Sequence, residues 1–154
     1  PTYADYAGKQ ITDIFTVEQL KNSITKNAYT FANAIFYGNE IGTFSYQPLP
    51  TKAQFSPVYA IMSGDFNSDG WKDLLLGGNF YGVNPQRGRY DASHGIILNG
   101  DGSNGFISMS IKESGLNVTG QVRDIISITY HQGSEAILFA KNNDKIQVYT
   151  VANN

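Results

Sequence analysis

The sequence contains no cysteine, which excludes disulfide bonds and thiolate chemistry. It does not exclude export from a cell, because disulfides are only one sign of an oxidising compartment. Charged residues are scarce, at 16% of the 154 residues against about a quarter in most proteins, and no run of Lys or Arg occurs. With a formal net charge of -2, the chain lacks the basic surface that binds phosphates, so we expect no nucleic-acid partner.

Long apolar runs and catalytic motifs are also missing. No apolar stretch approaches the roughly 18 residues of a membrane-spanning helix, so we expect no membrane span. There is no G-x-S-x-G elbow and no H-E-x-x-H helix. Asp91, Ser93 and His94 supply the residue types of a hydrolase triad, but neighbours in a strand point to opposite faces and cannot easily be aimed at one atom. We therefore predict that the chain is not an enzyme.

Glycine and aromatic residues are abundant, with 16 Gly, 10 Tyr and 9 Phe. This mixture is typical of short strands separated by tight turns. Runs bounded by turn residues predict nine strands: Phe31–Tyr37, Thr43–Pro48, Val58–Ser63, Asp73–Gly77, Gly95–Asn99, Gly105–Met109, Val122–Thr129, Glu135–Ala140 and Lys145–Val151. One helix is predicted. It begins with the capping-box spacing Thr16-Val17-Glu18-Gln19 and continues to Lys26.

The strands recur in an internal repeat with an offset of 62 to 64 residues. Gly42–Ser45 aligns with Asn104–Ile107, Val58–Ile61 with Val122–Ile125, Leu74–Leu76 with Ile137–Phe139, and Asn79 with Asn142. The continuous apolar run Leu74–Leu76 predicts a strand that is covered on both faces. A four-stranded antiparallel unit repeated in tandem is typical of the blades of a β-propeller.

The segment from Asp65 to Asp73 is the one motif with a clear chemistry. Carboxylate or amide oxygens stand at its positions 1, 3, 5 and 9 (Asp65, Asn67, Asp69 and Asp73), and Gly is at position 6. Position 7 adds the backbone carbonyl of Trp71. Such alternating hard oxygen donors suit Ca²⁺. Position 12 is an apolar Leu in a predicted strand, which excludes an EF-hand and indicates a strand–loop–strand site. A metal-free Asp/Asn-rich turn is the alternative.

The stretch Gly64–Leu74 resembles the FG-GAP/VCBS repeat of integrin-α-like propellers, whose usual form is G-D-x-N-x-D-G-x-x-D-L. The chain is also similar to the C-terminal portion of bacterial VCBS-repeat proteins. The resemblance implies a propeller whose Ca²⁺ is held by Asp65, Asn67, Asp69, Asp73 and the Trp71 carbonyl, and mostly rigidifies the loop. It also implies a non-catalytic module for binding or scaffolding in a secreted protein or in the cell envelope, at a bacterial surface. The corresponding stretch Thr129–Glu135 lacks the alternating carboxylates, so we predict no metal there.

The expected fold class is therefore all-β, a partial β-propeller of about two to two and a half four-stranded antiparallel blades with a short N-terminal helix. An N-terminal helical segment is expected over residues 1–30 and blades over 31–151: the end of one blade at 31–50, a calcium-loop blade at 58–109 and a degenerate last blade at 122–151. A β-sandwich is the alternative. Because propellers usually need four or more blades, we expect a piece of a longer protein that can self-associate through exposed blade edges.

The long loop Asn79–Ser93 is a second candidate binding region. Loops of this length in compact domains are often functional. Its aromatic and arginine side chains are typical anchors for a protein or glycan partner, and the candidate ligand-binding residues are Tyr81, Arg87, Arg89 and Tyr90. Alternatively, its aromatic residues pack on a neighbouring blade and its arginines are solvated. Two other functions stay open: a carbohydrate-binding module, or part of a larger propeller enzyme with catalytic residues on other blades.

Overall fold

The computed structural model describes residues 2–150, apart from the side chain of Gln132. The chain divides into two units, one up to Phe31 and one from Ala32 onward. Within the described part of the first unit lie three short helices, α1 Tyr3–Tyr6, α2 Ile11–Ile14 and α3 Val17–Leu20, and no residue of these helices is buried.

The predicted N-terminal helix begins as expected but is shorter than expected. The Gln19 N–H donates to the Thr16 hydroxyl, and the Thr16 N–H donates to the Gln19 side chain, as in a capping box. The helix ends at Leu20 rather than Lys26, so the predicted length was wrong. An isolated helix of this length is marginal in water, and no buried apolar face stabilises a longer one.

The described part of the second unit, up to residue 150, contains nine strands in three antiparallel sheets. The strands are β1 Ala34–Gly38, β2 Phe44–Pro48, β3 Val58–Gly64, β4 Asp73–Gly78, β5 Ile96–Gly100, β6 Phe106–Ser108, β7 Val122–Thr129, β8 Glu135–Lys141 and β9 Gln147–Thr150. The first sheet is β1–β2, the middle sheet is β3–β4–β5–β6 and the last sheet is β7–β8–β9. The nine predicted strands and the mostly β, antiparallel character are confirmed; the predicted end of the last strand, Val151, lies outside the described residues.

One further helix, α4 Ile111–Ser114, follows the middle sheet and was not predicted. The Ser110 hydroxyl accepts from the Glu113 N–H, and Glu113 accepts in return from the Ser110 N–H. Gly115 ends the helix with a φ of 66°. The helix is a single turn, so its apolar residues give no periodic signal, and only the Ser-x-x-Glu spacing marks it in the sequence. None of the helices in the described part of the chain has the length and apolar character needed to span a membrane.

The strand pairing confirms the internal repeat. β3 and β7 each begin with a β-bulge, and the bulged residues Tyr59 and Arg123 occupy the same place in the repeat. The turns β1–β2 and β5–β6 are also equivalent. The Oδ1 atoms of Asn39 and of Asp101 each accept from the backbone N–H groups two and four residues further on, at 2.8 to 3.2 Å. The first sheet therefore corresponds to the third and fourth strands of the middle sheet, and the last sheet to its first three strands.

The middle sheet is covered on both faces, as the apolar run in β4 predicted. Leu75 faces the last sheet, in a core made of Ala60, Leu75, Leu116, Val118, Val122, Ile125 and Phe139. Leu76 faces the opposite way, in a core with Leu49, Ala53 and Leu98, and Ile35 of the first sheet packs against it. The three sheets thus pack face against face, with the middle sheet between the first and the last.

Candidate functional site

The acidic segment predicted to bind calcium forms the loop between β3 and β4. Gly64 ends β3 and pairs with Asp73, which begins β4, so the two ends of the loop are fixed by the sheet. Phe66 packs against the core between the middle and last sheets and anchors the start of the loop. Left-handed backbone at Ser68 (φ 62°) and Gly70 (φ 89°) turns the chain back on itself. The loop is therefore a closed turn with fixed ends.

Three of the predicted ligand side chains form one hydrogen-bond network. The Asp65 carboxylate accepts from the Asp69 N–H at 3.1 Å and from the Gly70 N–H at 2.9 Å. Asn67 Oδ1 accepts from the same Asp69 N–H at 3.0 Å, and Asn67 Nδ2 donates to the Asp69 carboxylate at 2.8 Å. The other oxygen of that carboxylate accepts from the Trp71 N–H at 2.8 Å. The side chains at positions 1, 3 and 5 thus lie together around the backbone of the loop.

Asp73 is held separately and ties the loop to the rest of the sheet. Its side chain is 0% exposed. Oδ2 accepts from the Phe66 N–H and Oδ1 from the Gly100 N–H, both at 2.9 Å. Gly100 ends β5, the strand next to β4. The Asp73 carboxylate therefore joins the start of the loop, which follows β3, to the end of β5. Asp73 therefore has a structural role whether or not a metal is present.

Trp71 lies at position 7 of the loop and packs against the β5–β6 turn. A side chain at Gly102 would collide with the indole ring, and the φ of 74° at that residue also favours glycine. The indole remains 52% exposed. The turn itself is stabilised by Asp101, whose pKa is lowered because the Ser103 N–H and hydroxyl and the Gly105 N–H donate to its carboxylate.

The donor set of the loop is compatible with calcium. Among the residues that the structure describes, no three acidic, histidine or cysteine side chains form a cluster that could hold a metal by themselves. Calcium sites also use the oxygens of amide side chains and of backbone carbonyls, which are not among these residue types. Each carboxylate oxygen of Asp65, Asp69 and Asp73 accepts a hydrogen bond within the protein. A carboxylate offers about four acceptor sites, so these bonds leave lone pairs for a cation.

The long loop is fixed near its base. Phe80 and Tyr90 pair as an isolated antiparallel bridge, which brings its ends together. The guanidinium carbon of Arg89 lies 4.8 Å from the ring centre of Tyr81. Arg87 lies in a 3-10 turn and is exposed, as is Tyr90. Of the four residues predicted for ligand binding, the structure brings together Tyr81 and Arg89, which contact each other.

A hydrogen-bond centre at Asn79 holds this loop, and it was not predicted. Asn79 is 2% exposed and has a φ of 79°. Its Oδ1 accepts from the Ser56 hydroxyl and the Ser93 N–H, and its Nδ2 donates to the carbonyls of Ser93 and Gly120. The Asn79 carbonyl accepts from Arg123 at 3.0 Å. In the sequence, only the alignment of Asn79 with Asn142 in the repeat indicated that this asparagine has a structural role.

Arg123 lies beside this centre. Its guanidinium also donates to the Val122 carbonyl and to Gln121 Oε1. The same Gln121 oxygen accepts from the Tyr81 N–H at 2.9 Å. The contacts of Arg123 thus extend from the last sheet to the start of the long loop.

Comparisons of the chain with models of protein families, with curated proteins and with solved structures found no match. The function is therefore inferred from the geometry of the chain itself.

Proposed function

We propose that the chain is a non-catalytic, calcium-binding β-sheet module for binding or scaffolding, with its cation held in the loop between β3 and β4. The network of Asp65, Asn67 and Asp69 is the observation that carries this proposal, because it gathers three oxygen-bearing side chains on a closed turn. The Asp73 carboxylate and the Trp71 carbonyl would complete the donor set. Carboxylate, amide and carbonyl oxygens are the ligands that Ca²⁺ prefers.

The cation would act on the stability of the loop. Asp65 and Asp69 carry like charges within a short turn, and their repulsion opposes its closure. A bound cation removes that repulsion and holds the turn between β3 and β4. At a dissociation constant on the order of 0.1–1 mM, typical of extracellular calcium modules, millimolar Ca²⁺ would add roughly 1 kcal/mol of stability. A site of that affinity would be filled outside cells, so the location that goes with this proposal is extracellular or in the cell envelope.

The architecture that we propose around this loop is part of a β-propeller. The register shared by the middle and last sheets and the covering of the middle sheet on both faces support side-by-side packing of repeated sheets. The resemblance of the loop to FG-GAP/VCBS repeats supports the same arrangement. A bacterial surface or secreted protein is the corresponding setting.

Terbium luminescence can locate the proposed site. Tb³⁺ occupies oxygen-rich calcium sites, and the chain has 1 Trp, which lies within the loop. Excitation of Trp71 should therefore sensitise Tb³⁺ emission, and added Ca²⁺ should suppress it. Asp69→Ala should abolish the emission while the strands stay folded, because the hydrogen bonds of Asp69 lie within the loop.

Asp101→Ala is the matched control for this experiment. Asp101 also accepts backbone N–H groups in an exposed turn close to Trp71, but it is the one carboxylate in residues 99–105. This variant should keep the emission. Emission that survives in Asp69→Ala and disappears in Asp101→Ala would place the cation at the wrong turn and refute the proposal.

Carbohydrate binding is a second candidate function, favoured by the half-exposed indole of Trp71. Aromatic faces are common platforms for sugar rings, and the lack of a side chain at Gly102 leaves room for this ring. A titration with oligosaccharides followed by Trp71 fluorescence would separate the two functions. A sugar-dependent change that persists in Asp69→Ala would assign the sugar site independently of calcium.

A further inference from the structure

Two exposed apolar faces lie on the outermost sheets of the stack. The tail face is the outer face of the last sheet and consists of Ile126, Ile128, Leu138 and Val148; three of these side chains are 48%, 41% and 55% exposed, in the order Ile126, Ile128, Val148. The head face is the outer face of the first sheet and consists of Phe36, Phe44 and Tyr46, which are 60%, 70% and 42% exposed. Contiguous exposed apolar side chains of this kind mark interaction surfaces.

The repeat shows what kind of surface covers the tail face. In the last sheet, Ile126, Leu138 and Val148 pair across neighbouring strands as one row. The equivalent row of the middle sheet is Met62, Leu75 and Ile97. That row is packed in the core against the last sheet. The tail face therefore corresponds to the face of the middle sheet that the last sheet covers. We expect a sheet of the same type to cover the tail face.

The head face shows the reverse relationship. Phe36 and Phe44 are equivalent to Leu98 and Phe106 in the middle sheet, since Gly38 pairs with Phe44 as Gly100 pairs with Phe106. Leu98 is 0% exposed, and both it and Phe106 belong to the core on the side of the first sheet. The head face thus corresponds to the face of the middle sheet that packs against the sheet before it in the chain. Phe36 and Tyr46 already contact each other, with ring centres 5.6 Å apart and the rings tilted by 59°.

We propose that the tail face of one copy of this chain binds the head face of a second copy, head to tail, by the same packing that joins the sheets within the chain. The two faces differ, so the interface is heterologous, and each head-to-tail dimer keeps one free face of each kind for further copies. Neither face includes a residue of the acidic loop. This interface therefore does not depend on the proposed calcium site, and either proposal can fail without the other.

Sedimentation of the chain over concentrations up to about 1 mM tests the association itself, because this range reaches dissociation constants as weak as about 1 mM. The unmodified chain should form dimers and larger species. Ile126→Lys, on the tail face, and Phe44→Lys, on the head face, should each weaken association by at least about tenfold. Val148→Lys provides a second tail-face variant should Ile126→Lys unfold. Circular dichroism confirms that each variant keeps its strands.

Mixing the two variants tests the head-to-tail arrangement. Ile126→Lys retains an intact head face and Phe44→Lys an intact tail face, so an equimolar mixture can form one unmodified interface. The two substituted faces carry like charges and repel each other. The expected species is a 1:1 dimer with no larger assembly. An interface between identical faces, or between strand edges, does not give this result.

Ile107→Lys is the matched control, because Ile107 is a 68% exposed strand residue that lies on neither face. It should associate like the unmodified chain, with or without a calcium chelator. The proposal is overturned by a monomeric unmodified chain at the highest concentration, by face variants that associate as the unmodified chain does, or by a mixture that stays monomeric. A mixture that forms the same large species as the unmodified chain also overturns it.

Discussion

Arg123 holds its guanidinium carbon 4.2 Å from the ring centre of Tyr59, and the two residues occupy the same bulged position in successive repeats. The contact therefore joins the first strands of the middle and last sheets at equivalent points. An aromatic ring attracts a cation placed over its face. The bulges place the two side chains in contact. They therefore help to pack one repeat against the next.

Arg123→Ala should lower the free energy of unfolding by about 1–3 kcal/mol, because the cation–π contact and the hydrogen bonds to Asn79 and Gln121 are lost together. Urea unfolding followed by circular dichroism measures this. Arg123→Lys keeps the charge but cannot reproduce the planar set of donors, so it should recover only part of the loss. An alanine variant as stable as the unmodified chain would show that the stacking does not depend on this contact.

Asn79 and Asn142 offer a comparison between equivalent positions of the repeat. Asn79 is buried with four side-chain hydrogen bonds, whereas Asn142 is exposed and pairs through its backbone N–H with the Gln121 carbonyl. Asn79→Ala should cost about 3 kcal/mol, because buried polar groups of Ser56, Ser93 and Gly120 lose their partner.

Asn142→Ala should change stability by no more than about 0.5 kcal/mol. The difference between the two variants, measured by the same urea unfolding, isolates the hydrogen-bond centre from any general effect of removing an asparagine. Asn79→Gly would restore the left-handed backbone without the hydrogen bonds and should stay destabilised. Equal effects at both positions would contradict the role given to Asn79.

The β5–β6 turn predicts a pH dependence of stability. Hydrogen bonds from the Ser103 N–H and hydroxyl and from the Gly105 N–H lower the pKa of Asp101 below its ordinary value of 3.8. A lowered pKa in the folded state means that the unfolded chain binds the proton more readily. The stability that Asp101 contributes is therefore present above about pH 4 and is lost as the pH falls through the folded-state pKa.

Asp101→Asn separates this titration from the turn itself. All three donors bond to Oδ1, which an asparagine amide oxygen can replace, and Asn39 already forms the same turn in the first sheet. The variant should fold normally at pH 7 and lose less stability between about pH 5 and pH 2 than the unmodified chain. The midpoints of urea unfolding, measured across this pH range, test the prediction. If the variant and the unmodified chain lose the same stability as the pH falls, the prediction is wrong.

The strands were predictable because short β-branched and aromatic runs alternate with glycine and asparagine turns along the whole second unit. The repeat was predictable because bulges and turns that must recur in space recur in the sequence, as at Tyr59 and Arg123. The N-terminal helix was predicted too long, since its apolar residues match a helical period but none of Val17, Leu20 and Ile24 is buried.

The hydrogen-bond partners were not predictable in the same way. Asn79 is joined to residues near positions 56, 93 and 120, and only the folded sheets bring these together. Asp73 was predicted as a metal ligand from its position in the motif. That it also accepts from the Gly100 N–H depends on the placement of β5, which the motif does not contain.

Calorimetric titration with Ca²⁺ tests the central proposal most directly, combined with thermal melts in calcium and in chelator. The unmodified chain should bind one Ca²⁺ with a dissociation constant on the order of 0.1–1 mM and melt at a higher temperature in calcium. Asp69→Ala should bind none and show the same melting temperature in both conditions. An unmodified chain that gives no heat of binding and no shift, or Asp69→Ala with unchanged calcium affinity, would contradict the account and leave the loop as a metal-free turn.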